Sequence, residues 1–181
     1  MANGSSGLRR VIAGVTNLVR RTVFVNLESE PADPFPTTEQ TYVLDRGVLG
    51  GGEDRYTAVA GEVTRAVVDV SPRPVVAIDL HSATIETPDG MDRLAASTDL
   101  PADGTPDGRV IADDKTVDAV ARLLGPALQS ATFVDAEEQP VLEWRDRTEL
   151  AFGLPQDAFD RLTERLPAPV IEACRAGPSS D

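Results

Sequence analysis

Apolar residues at Tyr56, Val59, Ala60, Val63, Ala66, Val67 and Val70 recur at spacings of three and four. That spacing lays one stripe along a helix, and the prolines of "SPRP" at 71–74 stop it. Asp54 stands where a cap is needed. A second stripe, Val117, Val120, Ala121, Leu124 and Leu128, predicts a helix over about 114–129, which Gly125–Pro126 should kink or break. "PQDAFDRLTERL" predicts a third helix with Pro155 in its first turn, and "APVIEACRA" a fourth.

Between these stripes the pattern changes. "RTVFVNL" (21–27) is rich in β-branched residues and reads as a strand, as does "TYVLDRGV" (41–48), which the glycines at 50–52 end. "VVAIDL" (75–80) is apolar on successive residues, the pattern of a strand buried on both faces. "ATFV" (131–134) and "PVLEW" (140–144) are shorter strands. Residues 82–112, rich in Pro, Gly and Asp, read as a long functional or mobile loop. Strands separated by helices predict an α/β fold: a mostly parallel central sheet with helices on both faces. One domain over 1–181 is expected, with flexible ends at about 1–7 and 176–181.

Charge narrows the function classes. The chain carries 30 acidic against 17 basic side chains, a formal net charge of −13, and Lys115 is its one lysine. Such a surface repels phosphate backbones, and no basic cluster offsets it, so nucleic-acid binding is not expected. At molar salt the Debye length falls to about 3 Å and the self-repulsion fades, so this composition suits a halophilic protein. No segment approaches the roughly 20 apolar residues of a membrane span, and a cytoplasmic protein without membrane contact is expected. The single cysteine, Cys174, excludes a disulfide framework and reads as a core residue. The glycines at 50–52 precede a helix but lack the lysine of a phosphate loop.

One stretch suggests chemistry. In a parallel sheet, ligands bind beyond the carboxyl ends of the strands, and "AIDLHSA" puts Asp79, His81 and Ser82 at such an end. His81 is the one histidine. It can offer a ring nitrogen to a metal, with Asp79 on the same side of the strand, or it can simply be hydrogen-bonded at a strand terminus.

The "IDLHSA" stretch resembles the third zinc-ligand motif of the zinc-carboxypeptidase superfamily, whose members include succinylglutamate desuccinylase and aspartoacylase. The resemblance implies zinc as cofactor, His81 as its ligand with Asp79 beside it, and a catalytic glutamate late in the domain. "ATFVDAEEQPVLEWR" occupies that place, with Glu137 the counterpart and Asp135 the next. Upstream, "FVNLESEPADPFP" faintly resembles the family's Asn-Arg-x-Phe-Pro region, but no arginine follows Asn26. The His-x-x-Glu motif that begins the family's site cannot be present with a single histidine. The resemblance therefore implies a degenerate metallohydrolase-like domain, non-catalytic or weakly active toward amide bonds. The alternative is a small acidic α/β binding or assembly protein with no metal site, working with a protein partner or as a homo-oligomer.

Overall fold

The computed structural model describes residues 34–36, 38–81, 108–125 and 128–176. In chain order they form β1 (Gln40–Leu44), α1 (Arg46–Leu49), α2 (Gly52–Val70), β2 (Ala77–His81), β3 (Gly108–Ile111) and α3 (Asp114–Leu123). Then come β4 (Ser130–Val134), β5 (Pro140–Arg145), β6 (Glu149–Leu154), α4 (Gln156–Arg165), α5 (Ala168–Ala173) and β7 (Cys174–Ala176). The expected strand at 21–27, Asn26 and most of the expected loop at 82–112 lie outside the described residues.

The strands make a seven-stranded sheet in the order β3-β2-β4-β5-β6-β1-β7. Every neighbouring pair is antiparallel. This overturns the expected mostly parallel sheet. Helices do separate strands in the sequence, but the strands they separate are not neighbours in the sheet: β1 and β2 lie at a distance, as do β3 and β4. Of the strands that pair in succession, β4–β5–β6 are joined by short turns. The second turn holds Asp146 and Arg147 at φ 48° and 63°, with Thr148 N–H donating to the Arg145 carbonyl at 3.0 Å. Left-handed positions filled by Asp and Arg rather than Asn-Gly hide a hairpin from sequence reading.

Among the described residues the longer helices gather on one face of the sheet. Ile78, Phe133, Leu142, Phe152 and Tyr42 stand in register across the sheet and face the core. Tyr42 stacks on Phe159 of α4 with ring centroids 4.0 Å apart, and Tyr56 of α2 lies 6.1 Å from Trp144, on the same side of the sheet. So α2 and α4 share one face, and α3 packs against α2. The opposite face carries Arg109, Asp79, Thr132, Glu143, Ala151, Val43 and Arg175 in one cross-strand row. There β6 is covered by the segment leading into β1. A Cβ placed on Gly153 would come within 2.7 Å of both the Glu39 carboxylate and Phe35 Cβ. That close cover explains why β6 is buried along nearly its whole length.

Buried polar groups are tied down. The Tyr56 hydroxyl donates to the Leu44 carbonyl at 3.2 Å and accepts from Leu150 N–H at 3.3 Å, and burial pushes its pKa up to about 12. Trp144 Nε1 donates to the Leu128 carbonyl at 2.9 Å. Thr64, fully buried in α2, is different: among the described residues its Oγ1 has no partner. A hydroxyl held away from water without a bond costs about 1–3 kcal/mol. Thr64→Val is therefore expected to raise stability by about 1 kcal/mol, read as a higher urea midpoint at unchanged slope. A lower midpoint would show that the hydroxyl is bonded in solution.

Candidate functional site

Asp79 sits in the middle of β2, opposite Arg109 on β3 and Thr132 on β4. Its carboxylate lies 3.7 Å from Arg109 Nε. The same guanidinium makes two bonds to Glu138, Nη1 to Oε2 at 2.6 Å and Nη2 to Oε1 at 2.8 Å. That pairing with Arg109 draws the Glu138 carboxyl below the usual range. Glu138 reaches Arg109 because the β4–β5 turn folds back toward β3, with Glu138 itself at φ 63°. Asp79 is thus one side of a cross-strand ion pair on an exposed face.

His81 ends β2 and pairs in the ladder with Ser130. Ala77, at the start of β2, pairs with Val134, the residue that leads into the turn carrying Glu137. Four strand residues at about 3.4 Å each put the two ends about 14 Å apart, and Glu137 lies further still. A general base must come within about 3 Å of the water it activates. The antiparallel register therefore does not bring His81 and Glu137 together. Glu137 is exposed, and its backbone N–H donates to Asp135 Oδ1 at 2.9 Å. Among the described residues no three His, Cys, Asp or Glu side chains converge as a metal site would require. His81 and Asp79 lie on one strand, and the register sets the turn that carries Glu137 at its other end.

Asp135 has a structural task instead. It is 2% exposed at the side chain, and its Oδ2 lies 2.6 Å from Arg73 Nη1. Its Oδ1 accepts from the N–H groups of Glu137 and Gln139, both at 2.9 Å, which fixes the turn. Burial pushes the Asp135 pKa up, but the Arg73 guanidinium and these two N–H groups outweigh it and hold the carboxyl below its ordinary value. Arg73 also grips Glu39 through Nε at 2.8 Å and Nη2 at 2.6 Å, and donates to the Pro140 carbonyl at 2.9 Å. Arg73, read from the sequence only as part of a helix stop, thereby joins three segments. No periodicity announces such a residue; its one signal is an arginine held between two prolines.

Cys174 is buried, and burial raises its thiol pKa to about 12, which leaves almost no thiolate at neutral pH. A groove of about 350 Å³ runs between α2 and α3, lined in part by Thr57, Glu62, Arg65, Arg122 and Leu124. Its two arginines are both engaged by Asp118, Arg65 Nε at 2.7 Å and Arg122 Nη2 at 2.6 Å.

Among the described residues β3 forms an edge of the sheet. β3 pairs with β2 on one side and has no strand on the other among the described residues. Ile111, in the stretch expected to be loop, is 80% exposed, and Val76 beside it is 40% exposed. The two are linked through Ala112, whose N–H donates to the Val76 carbonyl at 3.0 Å.

Compared with known protein families, with curated proteins and with solved structures, the chain matches none. No helix among the described residues is long and apolar enough to cross a membrane.

Proposed function

We propose that this chain is a small acidic binding or assembly protein that works through its surface rather than through a metal site. One observation carries the reading: a large aliphatic side chain, Ile111, stands 80% exposed on an open edge strand. Edge strands are normally kept short or charged because they invite pairing with another chain, and β3 is short and carries Arg109, yet its Ile111 adds exposed aliphatic surface that such edges normally avoid. The metallohydrolase-like reading draws on the "IDLHSA" motif, but it needs His81 and Glu137 at one metal, and the strand register sets them at opposite ends of the sheet.

A zinc titration of the full chain tests this. A ligand at about a hundred times its Kd adds about 2.7 kcal/mol to the folded state, which is about 5–10 °C in Tm for a chain of this length. Wild type and His81→Ala are expected to melt together with and without zinc. A zinc-dependent rise in wild type that His81→Ala abolishes would defeat the binding reading.

A further inference from the structure

We propose that the open edge of β3 takes up an extended, lysine- or arginine-bearing segment of another protein as an added strand. This rests on the reading of the chain as a binding protein and gives that reading a surface and a partner class.

The backbone supplies the first part of the argument. Residues in an antiparallel ladder alternate between those that bond inward and those that face away. The bond from Ala112 N–H to Val76 fixes the phase, so Val110 and Gly108 spend their polar groups on β2. The N–H and C=O groups of Arg109 and Ile111 then point to the open side. That is the arrangement an added strand reads through its own main chain.

Side chains supply the rest. Val110 is buried toward the core, whereas Arg109 and Ile111 are exposed on the other face. Ile111 gives an apolar contact at the end of β3 where the chain turns into α3. The surroundings are acidic: Asp113 and Asp114 come just after Ile111, and the β4–β5 turn brings Glu137 and Glu138 to the same end of the sheet. Among the described residues the cations at this end include Lys115, Arg109 and Arg73; Arg109 is already held by Glu138 and Asp79, and Arg73 by Asp135 and Glu39. An apolar spot rimmed by carboxylates fits a strand that alternates aliphatic and basic residues. A second copy of this chain, at −13, brings the same carboxylates to the same place and is the poorer occupant.

The probe is a capped peptide of about eight residues alternating lysine and valine, compared with its glutamate–valine counterpart. Binding to the full chain is followed by fluorescence anisotropy, and the contact is mapped by backbone amide NMR shifts. The lysine peptide is expected to move the amides of 108–112 and to bind about tenfold or more tighter than the glutamate peptide. Ile111→Lys is expected to weaken it by about tenfold or more, through lost apolar contact and added repulsion. Ile111→Pro removes an outward N–H while sparing the bonds to β2, and is expected to abolish binding. Circular dichroism establishes that each variant is folded, and either variant alone suffices for the test.

Absence of binding, shifts elsewhere on the molecule, or equal affinity in the folded variants would overturn the proposal. So would sedimentation showing a wild-type dimer that Ile111→Lys dissociates. Such results with a flat zinc titration remove the β3 edge alone; a zinc-dependent rise in Tm removes the underlying reading as well.

Discussion

Replacing Arg73 by methionine is expected to cost about 3–5 kcal/mol at pH 7, the usual effect of removing one partner from a buried ion pair. The arginine side chain is 20% exposed and its two carboxylate partners, Glu39 and Asp135, are 5% and 2% exposed. Methionine fills much of the space but leaves both carboxylates without their cation. The pH dependence separates this from a simple packing loss. In the wild type the Asp135 pKa is depressed, so its contribution is present above the unfolded value of about 3.9 and is lost as pH falls through the folded value. In Arg73→Met the buried carboxylate binds a proton more readily than in the unfolded chain, and the sign reverses. The variant's deficit is expected to shrink between about pH 7 and pH 5, where the wild type is steady. Urea midpoints at the two pH values measure this. A deficit below about 1 kcal/mol, or one equal at both pH values, would mean that the triad behaves as a surface pair.

The second large effect sets helix propensity against packing. Gly61 lies inside α2, where alanine is ordinarily better by about 1 kcal/mol. Here a Cβ would fall 2.5 Å from the Ala121 carbonyl oxygen of α3, a backbone atom that cannot swing aside. Forcing the helices apart costs about 1–3 kcal/mol or more, so Gly61→Ala is expected to lower stability by about 1–2 kcal/mol net. A gain would show that α3 slides freely along α2. Nearby Gly125, at φ 112°, would push its own Cβ to 2.4 Å from Thr57 Cγ2. α2 is thus closely approached at two points, by α3 at Gly61 and by the residues after α3 at Thr57.

The helices are the most legible part of the sequence, because their stripes report a one-sided environment directly. The pattern caps α2 at Asp54, whereas the helix runs from Gly52 with Gly51 as its cap. The second stripe continues to 129, whereas α3 ends at Leu123. The strands are harder to read for a common reason. "TYVLDRGV" ends as a strand at Leu44 because Asp45 turns its carboxylate onto Gly47 and Val48 N–H, at 2.7 and 3.3 Å, and starts α1. "TELAFGL" does not alternate because Phe35 and Glu39 cover the face that would otherwise be wet. "GRVI" is too short to show a period at all. Strand direction leaves no mark on a residue pattern, so the parallel arrangement, and with it the reason for placing a ligand beside His81, rests on the alternation of helices with strands alone. Of the candidate site, Asp79 does lie on a strand beside His81. Its partner Arg109 falls in the stretch that reads as loop.

The place of β1 between β6 and β7 has a consequence for how the protein is made. The first described strand must wait for β6 to fill one of its edges and for β7 to fill the other. A ribosome has to deliver β7 before that side of the sheet can close, so folding there is a late event, however early its first strand emerges.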